Sequence, residues 1–125
     1  MYVLDSSALI EGIIDGPRSQ PISDSLTEEE FLTTSVCVHE ILIGARNSAE
    51  LFVLKGILHA VPTLDYTKDC AVHSAQIERE LKREGKLINK MDILIAAICK
   101  ASNATLITLD KDFEKIKGLK VKVIN

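Results

Sequence analysis

Asp5, Glu40, Asp92 and Asp110 are the residues of this chain whose type and placement could do chemistry. Asp5 closes the apolar run Tyr2-Val3-Leu4, and Asp110 closes Thr105-Leu106-Ile107-Thr108-Leu109. Glu40 and Asp92 lie in or beside apolar helical stretches, where a carboxylate is costly unless it is paired, solvated or bound to a cation. Gathered in one place, the four could not all ionise at neutral pH without a counter-charge. A hard divalent cation supplies one, and a ligand set without His or Cys suits magnesium or manganese rather than zinc. Such a cation lowers the pKa of a bound water, orients it for in-line attack on a phosphodiester and neutralises phosphate charge. The implied chemistry is metal-dependent hydrolysis that leaves a 5′-phosphate and a 3′-hydroxyl.

Each acid also has a plainer reading. Asp5 could cap a helix, and Glu40 could face solvent. Asn89-Lys90-Met91-Asp92 fits a capping arrangement with Asp92 at the third helical position, and Leu109-Asp110-Lys111-Asp112 could be a simple turn. The joint arrangement is what favours a site. Ser6, directly after Asp5, has a hydroxyl able to hold a carboxylate or a water. By contrast, His39, His59 and His73 have no spacing that pairs them as acid and base, which disfavours a metal-free ribonuclease using the 2′-hydroxyl.

Charge is uneven along the chain. The net charge of −3 argues mildly against a protein that coats nucleic acid. Residues 1–78 nevertheless carry four Lys/Arg against twelve Asp/Glu, whereas residues 79–125 carry eleven against six. Lys82, Arg83, Lys86 and Lys90 form a basic stretch just before Asp92. It reads either as a phosphate approach or as a solvated helix face balanced by Glu78, Glu80 and Glu84. Arg79, Lys82, Arg83, Lys86 and Lys90 are therefore the candidate contacts for a phosphate-bearing substrate, with Arg46 a lesser one. Aromatic residues are only 4% of the chain and Trp is absent, so recognition of a nucleic acid should rest on its phosphates and shape rather than on base stacking.

The elements that must position these side chains follow from periodicity. Tyr2–Leu4 reads as a buried strand, and Ser6-Ser7 as the cap of a helix starting at Ala8. Residues 15–30, with Gly16, Pro17, Pro21 and a Glu triplet, read as a loop with room for a short polar helix. A strand is predicted over Phe31–Thr34, then a helix over Val36–Ala45 capped by Ser35, a helix over Ser48–Leu58 and a strand over His59–Thr63. Residues 67–84 form the longest predicted helix, with Cys70, Ser74, Ile77 and Leu81 on one stripe and Gly85 as its stop. Asn89 caps a helix over Lys90–Ala101 that is apolar all round in its interior. Ala104–Leu109 is a strand, Lys111–Ile116 a short helix and Leu119–Ile124 a last strand. Strands alternating with helices imply an α/β fold with a parallel sheet covered on both faces. Asp5 and Asp110 then stand at carboxyl ends of strands, where open α/β sheets place their sites.

The bulk numbers agree with this picture. With 125 residues, 46% hydrophobic and 26% charged, the chain is the size and composition of one globular domain. No apolar run approaches the ~20 residues of a membrane span, so no membrane association is expected. The opening lacks the basic and apolar regions of a signal peptide. Cys37, Cys70 and Cys99 form no pair spaced for zinc, and reduced buried thiols in a cytoplasmic protein are expected.

Four segments carry a family resemblance. They are Val3-Leu4-Asp5-Ser6-Ser7-Ala8-Leu9-Ile10, Glu40-Ile41-Leu42-Ile43-Gly44-Ala45, the stretch Gly85 to Ala97 and Thr108-Leu109-Asp110-Lys111-Asp112-Phe113. Together they resemble the PIN-domain nucleases, and among these the VapC-like toxins of toxin–antitoxin pairs. The resemblance spans nearly the whole chain in the right order and implies one PIN-like nuclease domain over residues 1–125. It implies a three-layer α/β/α fold around a parallel five-stranded sheet, and a magnesium- or manganese-dependent endoribonuclease. The acidic quartet carries over onto Asp5, Glu40, Asp92 and Asp110. Asp5 and Asp92 are taken as the closest metal ligands, Glu40 and Asp110 as residues that orient waters or help hold a second ion. Asp112 matches a position that is often acidic. Implied partners are RNA, a cognate antitoxin whose tail covers the acidic cleft, and a second copy in a homodimer using helices near residues 36–58. Substrate contacts are expected from Ser6, Arg83, Lys86 and Lys90.

Other classes fit less well. A PIN enzyme of ribosomal RNA processing or RNA decay is the nearest alternative, although cysteine pairs for an appended zinc ribbon are missing. Haloacid-dehalogenase-like phosphatases need an acid at the position of Ser7, and response-regulator receivers need paired acids that this chain lacks. A non-catalytic α/β interaction module would leave the acids as caps and surface residues.

Overall fold

The computed structural model describes residues 1–26 and 30–125. The part of the 15–30 loop expectation that covers 27–29 lies outside the described residues. The element order is β1 (Tyr2–Leu4), α1 (Ser6–Ile13), α2 (Ser19–Ser25), β2 (Phe31–Thr34), α3 (Ser35–Ile43), α4 (Ser48–His59), β3 (Thr63–Leu64), α5 (Lys68–Arg83), α6 (Lys90–Ala101), β4 (Thr105–Thr108), a 3-10 turn η1 (Lys111–Lys115) and β5 (Val121–Val123). All strand pairs are parallel, in the order β3-β2-β1-β4-β5. The chain moves outward one way from β1 to β2 and β3, then returns to add β4 and β5 on the other side. This places a topological switch point between β1 and β4, where open sheets leave a crevice.

Side-chain alternation builds the layers. Val3 and Leu106 join one core with Ile77, Leu81, Ile93, Ala96 and Phe113, whereas their neighbours Leu4 and Ile107 join another with Ala8, Leu9, Ile41 and Leu58. Successive strand residues point to opposite faces, so the sheet is covered by α5 and α6 on one side and by α1 and α4 on the other. The three-layer α/β/α expectation is met. Helix α6 is the central support: Ile93, Ile95, Ala96, Ala97, Ile98 and Cys99 are all buried. Each isoleucine contributes about 1.5–3 kcal/mol through burial. The stripe Cys70, Ser74, Ile77 and Leu81 of α5 is buried as its spacing predicts, and Gly85 follows with a φ of 68° that an L side chain rarely adopts.

Several boundaries differ from the sequence reading. Asp5, not Ser6 or Ser7, is the N-cap of α1, accepting the Ala8 amide. Thr34, not Ser35, caps α3 by accepting the Cys37 amide. In both places the last residue leaving a strand has extended backbone angles and supplies the capping oxygen, so the helix begins one or two residues sooner. His59 belongs to the last turn of α4 and not to a strand; β3 begins at Thr63, beyond Pro62. The 111–116 helix is a 3-10 turn. All three cysteines are buried and free. Among the described residues no helix is long and apolar enough to cross a membrane.

Candidate active site

The pairing of β1 with β4 sets the geometry of the site. Leu4 stands opposite Ile107, so the next residues, Asp5 and Thr108, leave the sheet side by side. The Asp5 amide donates to the Ile107 carbonyl at 3.2 Å, and the Thr108 hydroxyl donates to Asp5 Oδ2. Asp5 Oδ1 accepts the Ser7 hydroxyl at 2.7 Å and the Ala8 amide at 3.0 Å. Asp5 is 4% exposed. Burial pushes its carboxyl above the ordinary carboxylate range, against the pull of these three donors, and the nearby charge of Glu40 pushes the same way.

Glu40 projects from α3, and Ser6 reaches it. The Ser6 hydroxyl donates to Glu40 Oε1 at 2.7 Å across 34 residues of sequence. Ser6, expected to touch substrate or a carboxylate, thus holds a carboxylate. Asp110 follows β4, caps η1 by accepting the Asp112 amide at 2.9 Å, and donates its own amide to the Thr108 hydroxyl at 3.0 Å. Asp112 is ion-paired with Lys115 at 3.1 Å.

Asp92 stands at the third position of α6, where the capping reading put it, but Asn89 makes its capping bond with the Met91 amide. Among the described residues no donor is directed at the Asp92 carboxylate, and its pKa is pushed from the ordinary 3.8 to about 7. Desolvation is the first cause, followed by the charges of Asp110, Glu40, Asp5 and Asp112. The four sequence-predicted acids, with Asp112, therefore lie close enough to feel one another, and among the described residues no cation pairs with Asp92.

The donor chemistry suits a hard divalent cation: every polar group here is a carboxylate or hydroxyl oxygen. The nearest thiol, Cys37, is buried and pushed away from ionisation, so it offers no thiolate. Among the described residues no three acidic, histidine or cysteine side chains converge into a ready-made metal cage. Magnesium does not need one, because it keeps several waters and is held through one or two carboxylates. The residues present fit the group.

The basic candidates are arranged less simply than the acids. Lys90, at the start of α6, is ion-paired with Glu78 of α5, and Lys86 lies 3.8 Å from Glu84. Arg46 pairs with Glu50. Among the described residues Arg79, Lys82 and Arg83 have no ion-pair partner, so the end of α5 holds the freer positive charge. Sequence reasoning missed Ser7 and Thr108 as site residues. The only available signal was position, since Ser7 lies two residues after Asp5 and Thr108 two before Asp110. Beside Glu40 a groove of about 340 Å³ is lined by Ile10, Ile14, Ile41, Val53 and Leu54. Ile43 and Phe52 are 75% and 80% exposed.

Comparison with known proteins bears on this arrangement. The PIN domain family model matches residues 2–119. A relative in Shigella flexneri, the tRNA(fMet)-specific endonuclease VapC, is 28% identical and aligns over 97% of this chain and 96% of its own length. The DNA-bound VapBC structure from Salmonella typhimurium is 26% identical with a TM-score of 0.83, covering 98% of this chain and 96% of that one. VapBC2 from Rickettsia felis, bound to a promoter DNA fragment, shares the fold with a TM-score of 0.84 at 22% identity, over 99% of this chain and 98% of that one.

Proposed function

This chain belongs to the PIN-domain family, and from that premise we infer that it is an endoribonuclease, the toxin of a VapBC-like toxin–antitoxin pair. The observation that carries the reading is the mutual charge of five carboxylates at one sheet end, felt most at Asp92. We propose that residues 1–125 act as a single nuclease domain in the cytoplasm.

Asp5 and Asp92 would hold a magnesium or manganese ion, with Glu40 and Asp110 orienting waters around it. When bound, such a cation supplies Lewis acidity, easing deprotonation of water and neutralising charge on the phosphate. The protein's own residues do the positioning. Asp5, fixed at both oxygens, cannot swing away from the switch-point crevice. Ser6, next to Asp5 in the chain, holds Glu40 by its Oε1. Asp92, lacking donors of its own, gains most from a neighbouring positive charge. Water then adds across the phosphodiester in line with the departing 3′-oxygen, leaving a 5′-phosphate and a 3′-hydroxyl. Arg83, with Lys86 and Lys90 once these release Glu84 and Glu78, would contact flanking phosphates. The exposed apolar groove beside Glu40, with Ile43 and Phe52, supports a second copy packing on residues 36–58, while the antitoxin's tail would cover the acidic cleft.

RNA incubated with the purified protein and manganese should be cut to 5′-phosphorylated products. Cleavage persisting in excess EDTA would overturn the metal mechanism, and absence of cleavage with both ions would overturn the nuclease reading.

A further inference from the structure

We propose that Ser7 and Thr108 are paired positioning residues that lock the carboxylate of Asp5 and thereby set where Asp110 stands. The two hydroxyls do the same thing on opposite oxygens. Ser7 Oγ donates to Asp5 Oδ1 at 2.7 Å and accepts the Leu109 amide at 3.1 Å. Thr108 Oγ1 donates to Asp5 Oδ2 and accepts the Asp110 amide at 3.0 Å. A hydroxyl has one proton, and an amide can only donate, so each amide forces its hydroxyl to aim that proton at Asp5. The direction of both relays is therefore fixed by the backbone.

Two consequences follow from the circuit. With the Ala8 amide included, three of the roughly four acceptor positions of an ionised carboxylate are filled, so Asp5 cannot rotate without breaking several bonds. The segment leaving β4 is also suspended from Asp5 through two successive amides, Leu109 and Asp110. Asp110 then begins η1 by accepting the Asp112 amide. Two acids 105 positions apart in sequence are thus held in one frame by hydroxyls and not by side-chain contact between them. Thr108 is fully buried and Ser7 only partly so, which makes the pair experimentally separable.

The functional consequence rests on the nuclease reading, whereas the positioning claim can be measured without RNA. In the full chain without metal, Ser7→Ala should speed hydrogen exchange of the Leu109 amide about tenfold or more, and Thr108→Val should do the same at Asp110. Manganese titrated alone should bind either variant ~10–100-fold more weakly, the usual effect of losing a group that orients a metal ligand. Thr108→Ser, which keeps the hydroxyl, should rescue both readouts. Wild-type exchange and wild-type manganese affinity in folded Ser7→Ala and Thr108→Val would overturn the proposal. So would faster exchange with unchanged affinity, which would reduce the hydroxyls to structural donors. Should Thr108→Val fail to fold, Ser7→Ala decides the matter through Leu109 exchange and manganese affinity. If the variants show this pattern while the wild type cuts no RNA, the nuclease reading fails and the positioning claim stands.

Discussion

Asp5 and Asp92 carry the same side chain into one site, and the fold treats them in opposite ways. Asp5 is buried among three donors, two of them hydroxyls aimed by backbone amides. Asp92 is half-buried among other acids, with no donor directed at it from the described residues. The first is a built position whose loss should damage the fold; the second is a strained one whose loss should relieve it. A site assembled this way is rigid where it meets the sheet and electrostatically unsatisfied where it meets α6, which is the side where a cation would have most effect.

The comparison breaks most visibly in activity and stability measured together. Asp5→Asn and Asp92→Asn should each lower manganese-dependent RNA cleavage by at least ~100-fold, more than the loss of a merely orienting group. Their effects on stability should then diverge. Asp5→Ala would orphan the Ser7 and Thr108 hydroxyls and the α1 cap, costing about 2–3 kcal/mol in denaturant melts. Asp92→Asn should instead stabilise the metal-free protein at pH 8. Destabilisation by both would remove the distinction.

A smaller effect sharpens the Asp92 side. Because its pKa is raised from 3.8 to about 7, the fold prefers the protonated acid, so more protons are bound folded than unfolded between those values. Stability of the metal-free protein should fall as pH rises through that window and level off above it. Discounted for the partial exposure of the group, the contribution is on the order of 2 kcal/mol. Thermal melts from pH 4 to 8 should show the slope in the wild type and a flatter one in Asp92→Asn.

The weakest predicted effects lie on the basic side. Arg83→Ala should weaken RNA binding a few-fold and lower the salt slope by about 1. Lys90→Ala should do less, because Lys90 must first release Glu78.

What the sequence made legible follows the same division. The parallel α/β order, the buried stripe of α5 and the all-round burial of α6 came from periodicity, which is local. Asp5 and Asp110 were visible because strands end at them, and the four acids were visible as types. Ser7 and Thr108 were not, because their partners are set by the β1–β4 register more than 100 residues apart. Glu78 and Glu84 were legible as acids balancing the basic stretch, and they do pair with Lys90 and Lys86, although helix packing and not spacing chooses which acid meets which base. The strand expected at His59–Thr63 failed because α4 keeps His59 in its last turn and Pro62 follows before β3.

The clustered carboxylates are expected to bind a divalent cation through Asp5 and Asp92. Calorimetric titration of manganese into the wild type, Asp5→Asn and Asp92→Asn at pH 7.5 tests this expectation most directly. Saturable binding by the wild type and at least ~100-fold weaker binding by each variant are expected. Equal affinity in all three, or no binding by the wild type, would contradict it.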